Sequence, residues 1–357
     1  MVPDQTDPRL EEAVRFAEAG RWGEAGRCFE IVAKAAETKG DVHAAQWAWT
    51  LSGDAYRKDD RPAKAALALH RAFDTLSEDG DRGAKMGAEL SGVLMDSGQL
   101  DVAESIARKA VAAAESSIPA AIARDTLIGI LTARGDLTKA EEELNQLHAT
   151  APPGLGIAVH FREGVHRRLT GDLSGARTNL NVVIKALRGN MPAAGAMAAA
   201  TAELAEVALL DGEPDEARES FERAEGLWTI AGRRAGLFRA EAGLVRASMA
   251  RGDAPIAAAI PDTISYARLR QMVLLECELR IVLGSAKALT GREGALEELD
   301  KAVNLASQAG ATLLEGMARA NRLRFSGDLA DRDPAWLCLQ HLPAWSDALD
   351  TPEFIPW

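Results

Sequence analysis

Few side chains in this sequence could cut, transfer or coordinate. Its histidines are His43, His70, His148, His160, His166 and His341, and its cysteines are Cys28, Cys277 and Cys338. His160 and His166 stand six apart in "HFREGVHRR", a poor spacing for two ligands on one helical turn, and no HExxH or paired CxxC accompanies them. Cys28 beside Phe29, and Cys277 within "VLLECELRIVL", read as small core residues rather than reactive thiols. No GxSxG elbow and no GxxxxGK[ST] phosphate loop occurs. These observations point to a non-enzymatic chain with no metal and no cofactor.

The balance of 41 basic against 53 acidic residues, net −12, repels phosphate backbones and argues against a nucleic-acid partner. The short basic pairs Arg167–Arg168 and Arg233–Arg234 read as solvated helix faces. Three widely separated cysteines do not form a disulfide framework. The opening "MVPDQTDPRLEEAVRF" lacks the basic and apolar regions of a signal peptide. No stretch reaches the roughly 18 uninterrupted apolar residues of a membrane span. "AAGAMAAATAELAEVALL" (193–210) comes nearest, but Glu203 and Glu206 interrupt it. A cytoplasmic protein with no membrane partner is the expectation.

The elements that carry these residues announce themselves by repetition. A turn residue, a polar residue and an alanine five positions after the turn recur in "GRWGEA" from Gly20, "DRPAKA" from Asp60, "GQLDVA" from Gly98 and "GDLTKA" from Gly135. They continue in "GDLSGA" from Gly171, "GEPDEA" from Gly212 and "GDAPIA" from Gly252. "GREGA" from Gly291 is one residue short, and "GDLADRD" (327–333) is a last degenerate echo. Successive turns lie about 36 to 41 residues apart, a period that marks repeat architectures. Each glycine ends a first helix, where a left-handed backbone costs little. The aspartate of "GDL" can cap the next helix. The alanine permits two helices to cross closely. A larger apolar residue four positions on (Phe29, Leu69, Leu144, Leu180 or Phe221) shares its face. Each hairpin leaves an apolar face that only a neighbour can cover, so hairpins must stack. Strand-like runs rich in Val, Ile and Thr are nearly absent, which argues for an all-α chain.

This pattern resembles the tetratricopeptide repeat family. The match is fullest over Trp49, Gly53, Tyr56, Ala65 and Ala72, with Leu69 in place of the family's aromatic residue. Partial matches are Gly164, Gly171, Ala176 and Leu180, then Ala205, Gly212, Ala217, Phe221 and Ala224. The likeness covers about residues 8–325. It departs from the family in a period longer than 34 and in mostly lacking the proline that closes the second helix, like the extended variant of large bacterial regulators. The bias toward Ala, Arg and Gly likewise suits a bacterial chain. The resemblance implies a right-handed superhelical solenoid of about eight helix-turn-helix repeats, with residues 1–7 as an N-terminal tail.

It also implies a concave inner wall built by the first helix of each hairpin. Counting back from the turns places Trp47, Asp54 and Arg57 there in the second unit. Asp125, Phe161, Val165, Arg168, Phe238, Glu241 and Val245 follow in later units, alongside Thr50, Ile122, Ala202, Glu206, Ile281 and Ser285. The Lys, Asn and Arg clamp of the family's chaperone-tail binders is missing. A wall of small and apolar residues with scattered charges suits a partner helix or an extended peptide. The first expectation is an interaction scaffold for a protein or peptide. A sensor for a small ligand or signalling peptide, and an assembly or secretion chaperone, are the alternatives. The oligomeric state is left open.

The repeat stops near residue 325. Residues 326–357 carry Trp336, Trp345, Phe354 and Trp357, and prolines at 343, 352 and 356 exclude one long helix. Such a segment is expected to fold back as an end cap, or to serve as a tail that enters the groove or docks on a partner.

Overall fold

A computed structural model describes residues 8–76, 79–253, 257–340 and 342. Those residues form eighteen α-helices and three single 3₁₀ turns, with no strand among them. The helices are α1 (Pro8–Glu18), α2 (Trp22–Thr38), α3 (Val42–Lys58), α4 (Pro62–Asp74), α5 (Gly80–Asp96) and α6 (Leu100–Ala113). They continue as α7 (Ser117–Ala133), α8 (Leu137–Thr150), α9 (Gly156–Leu169), α10 (Leu173–Leu187), α11 (Ala194–Leu210) and α12 (Pro214–Ala231). The last six are α13 (Arg234–Ala250), α14 (Ile260–Arg270), α15 (Val273–Leu289), α16 (Ala295–Ala309), α17 (Thr312–Ser326) and α18 (Arg332–Leu339). The chain divides into two compact units: Met1–Ile130 with Arg270–Met272, and Leu131–Leu269 with Val273–Trp357.

Every predicted turn falls between an odd-numbered helix and the next. Gly20, Gly98, Gly135, Gly171, Gly212, Gly252 and Gly291 adopt φ between +65° and +87°, and Asp60 keeps the same frame at +55°. Gly327, the degenerate echo, adopts +70° and joins α17 to a 3₁₀ turn and α18. A methyl on Gly171 would meet nothing within 4 Å, so only the backbone conformation demands glycine there. Gly171→Ala is therefore expected to cost about 1–2 kcal/mol by left-handed strain alone, read as a lowered urea midpoint with unchanged slope. The caps follow too. Asp172 Oδ1 accepts from the Gly175 amide at 2.9 Å, and Asp136 Oδ1 from the Lys139 amide at 3.4 Å.

The close-approach alanines Ala25, Ala65, Ala103, Ala140, Ala176 and Ala217 are buried. The reason lies across the hairpin. A Cβ on Gly53 would sit 2.5 Å from Leu69 Cγ, one on Gly164 would sit 2.8 Å from Leu180 Cγ, and one on Gly284 would sit 2.7 Å from Leu299 Cγ. Glycine on the first helix thus receives the bulky residue of the second. The short unit "GREGA" obeys this with a second left-handed glycine: Gly294, at φ +78°, starts α16 directly at Ala295. The seventh unit departs from the expectation. Its second helix begins only at Ile260, and Ala257 is half-buried rather than a crossing residue.

In the first unit, α3 is keyed to α2 by its family-like residues. Trp49 Nε1 donates to Glu37 Oε1 at 2.8 Å, Ser52 Oγ to the Gly26 carbonyl at 2.9 Å, and Tyr56 Oη to Glu30 Oε2 at 3.0 Å. Burial, and then the Glu30 carboxylate, push the Tyr56 phenol up. In the second unit the odd helices α9, α11, α13, α15 and α17 stand side by side. Helices α17 and α18 also reach back to α8 and α9: Ala320, Ala335, Leu339 and Leu342 share one buried cluster with Leu137 and Leu169. The stretch Met191–Leu210 is long and apolar enough to cross a membrane. Here it is the α11 strut, with Ala205, Ala208 and Leu209 packed around Phe221 and Ala247.

Candidate functional site

The side-by-side odd helices of the second unit enclose a groove with a cavity of about 290 Å³. Its floor is apolar: Phe221 of α12, Ala242 of α13, Leu279, Ile281 and Val282 of α15, and Leu313, Leu314 and Met317 of α17. Its charged groups come as arginine–glutamate pairs, each joining one odd helix to the next. Arg168 Nε donates to Glu203 Oε2 at 2.8 Å, Arg246 Nη1 to Glu206 Oε2 at 2.9 Å, and Arg239 Nε to Glu278 Oε2 at 2.7 Å. The Arg168 side chain is only 12% exposed. Burial pulls its pKa down, but the Glu203 and Glu206 carboxylates outweigh that effect and the net direction is up. Arg246 also lies over the Phe221 ring, 5.6 Å from its centroid. The site is therefore an apolar cleft ringed by paired opposite charges. Nothing in it resembles a nucleophile with its base. No group of three His, Cys, Asp or Glu among the described residues could hold a metal ion.

The sequence-predicted wall residues occupy several places. Arg168 lines the groove, together with Ala202, Glu206 and Ile281 of the wider set. Phe161 packs on the α10–α11 cluster around Val183 and Leu187. Val165 packs on the cluster that holds Leu169 and Leu339. Phe238 meets Tyr266 edge-on, with centroids 5.2 Å apart. Glu241 and Val245 line a separate cavity between α12, α13 and α14. There burial, and then Glu225, raise the Glu241 pKa, and its Oε2 is buried without a partner. Trp47, Asp54 and Arg57 on α3, and Asp125 on α7, belong to the first unit. Arg57 Nη2 there donates to Asp54 Oδ1 at 2.6 Å.

Sequence reasoning passed over Glu203, Arg239, Arg246, Glu278 and the α17 residues. A signal existed: the paired residues are 35, 40 and 39 apart, one repeat each. The histidines serve other ends. His148 Nδ1 pairs with Glu163 Oε1 at 2.8 Å and His160 Nδ1 with Asn179 Oδ1 at 2.8 Å. Burial lowers the pKa of His166, which is buried with Nδ1 unpartnered. His341 lies outside the described residues. Cys277 is fully buried, its Sγ 3.4 Å from the Ala302 carbonyl, and its thiol is pushed up by burial.

No protein-family profile matches the chain, and no curated protein matches it in sequence. Solved structures do. A Rap protein complexed with competence and sporulation factor is 12% identical, with a TM-score of 0.62 over 97% of this chain and 98% of that one. A tetratricopeptide repeat protein from Parabacteroides merdae is 14% identical, with a TM-score of 0.43 over 83% of this chain and 99% of that one. By fold, this chain is an all-α array of tetratricopeptide-like helical repeats.

Proposed function

We propose that the chain is a non-enzymatic cytoplasmic scaffold whose second-unit groove receives an extended peptide or helix of a partner protein. The supporting observation is the apolar floor from Phe221 to Met317, ringed by the three arginine–glutamate pairs. Apolar anchors of the partner fill the floor, and the paired charges contribute polar contacts at its edge. The Rap protein of like fold was solved with competence and sporulation factor bound. The first unit's Trp47, Asp54 and Arg57 form a second inner-wall set in this reading.

Peptides selected from a displayed random library on the full chain test it. They are expected to lose at least about tenfold in affinity on Leu314→Asp, a charge placed on the half-buried apolar floor. They are expected to keep their affinity on Leu269→Asp, at an exposed residue outside the groove lining. Equal affinity for all three chains would overturn the reading. Phe161 and Phe238 are poor probes, because their packing makes an aspartate there a stability defect. A cavity of about 290 Å³ lies at the small end of ligand pockets. That size favours, as a second reading, a sensor that takes a small ligand or the end of a signalling peptide. A small molecule carried through purification and displaced on Leu314→Asp would select it.

A further inference from the structure

The arginines of the groove are not equally engaged. Nη1 and Nη2 of Arg246 are bound to the two oxygens of Glu206. Arg239 is 43% exposed and meets open water. Arg168 differs from both. Its side chain is 12% exposed, and Nε is held by Glu203 Oε2 at 2.8 Å. Its Nη1 and Nη2 meet no protein acceptor among the described residues. Neither nitrogen is sealed away from solvent, so the fork of remaining N–H donors opens on the cleft that Arg168 lines.

A ligand that covers the apolar floor takes solvent away from this fork. It must bring an acceptor of its own, or leave a desolvated charge unanswered, which penalises binding more than a missing contact does. The neighbours decide the chemistry of that acceptor. Glu203 holds Nε, and Glu206 adds a second negative charge that acts on the guanidinium. A third carboxylate would face both, so the acceptor that suits the site is neutral. An extended peptide offers such acceptors along its length, because its main-chain carbonyls have no partner within the strand. The flank of a helix offers none, since its carbonyls are bound within the helix itself. We propose that Arg168 is the residue by which the groove recognises main chain: its Nη fork donates to one or two backbone carbonyls of an extended peptide whose apolar side chains fill the floor. This role presumes the peptide groove proposed above, and it selects an extended peptide over a helix. The fork sets the peptide's register, and the floor selects its side chains.

The test takes the tightest peptide selected on the full chain from a displayed random library and measures its affinity by calorimetry. Arg168→Lys keeps a cation beside Glu203 without the fork, and is expected to weaken this peptide at least about tenfold. A second variant, Arg168→Met with Glu203→Met, removes the pair together and leaves neither charge unpaired, so that a loss there is not a folding defect. The same weakening is expected. The ligand is then altered instead, each main-chain amide in turn being replaced by an ester, whose carbonyl is a weaker acceptor. One or two esters should weaken binding at least about fivefold on the wild-type chain and less than about twofold on either variant. Loss of affinity on Leu314→Asp, with affinity unchanged on both Arg168 variants, overturns the proposal and leaves the peptide groove standing. Ester effects of equal size on all three chains overturn it as well. So does an Arg168 dependence that vanishes once the peptide's acidic side chains and C-terminus are converted to amides, because the acceptor is then a carboxylate. A peptide indifferent to Leu314→Asp removes the groove reading, and the role of Arg168 falls with it.

Discussion

Replacing Phe221 with alanine is expected to destabilise the second unit by about 3–5 kcal/mol. The ring is 1% exposed, closed in by Ala205, Ala208, Leu209, Ala217 and Ala247. Its edge lies so close to the Gly243 backbone that a methyl there would overlap it. Most of those neighbours are alanines, and only Leu209, Leu244 and the Arg246 side chain over the ring have the length to shift toward the space, so much of the cavity persists. Phe221→Leu retains most of the volume and should cost about 1–2 kcal/mol. Urea denaturation of the three chains measures both. Repeat arrays couple mainly between nearest neighbours. Hydrogen exchange should therefore show the loss concentrated in α11, α12 and α13. A cost of Phe221→Ala under about 1 kcal/mol would show that the alanine-rich seam can collapse.

The second large effect is expected at Asp331. This carboxylate is 1% exposed in the 3₁₀ turn before α18. It accepts from Arg322 Nε at 2.6 Å and Nη2 at 2.8 Å, a two-pronged pair, and Arg319 Nη1 lies 3.5 Å away. Asp331→Ala leaves Arg322 with Asp300 and Arg319 with Glu315, both guanidinium groups partly exposed, so the loss of this carboxylate and its hydrogen bonds should cost about 1–3 kcal/mol. The turn fixes the entry of α18, and α18 closes the cluster with Leu137 and Leu169. The loss should therefore spread to α8 and α9, more than 150 residues earlier in the chain, a distance given by their ranges. Asp331→Asn keeps the shape and one acceptor, and should recover part of the loss. Thermal unfolding of the three chains reads the order; equal melting temperatures for wild type and Asp331→Ala would contradict it.

The turns were legible because a left-handed backbone has few suitable residues. Glycine at 20, 98, 135, 171, 212, 252 and 291, with Asp60 as stand-in, marks each one. The crossing alanines were legible for the same steric reason. The wall of the groove was legible only in part, at Arg168, Ala202, Glu206 and Ile281, because helical periodicity fixes which residues share a face but not how far each helix is rotated toward its neighbours. Phe161 and Arg168 lie seven apart on α9, nominally on one face, yet Phe161 packs toward α10 and Arg168 lines the cleft. Ion pairs between residues a repeat apart, such as Glu206 with Arg246, need the stacking distance before they can be drawn. The closure of α17 and α18 on α8 and α9 is non-local, and nothing in the pattern of one hairpin encodes it. Trp345, Phe354 and Trp357 lie outside the described residues.

The arginine–glutamate ties join α9 to α11, α11 to α13 and α13 to α15 along the lining of the second unit's cleft. Mechanically they act as tendons strung from one helix to the next. Stretching the unit loads them first, and dissolved salt slackens the more exposed Arg239–Glu278 tie before the others. The unit should thus behave as a spring whose stiffness falls with ionic strength, and the first loss should come from the tie between α13 and α15.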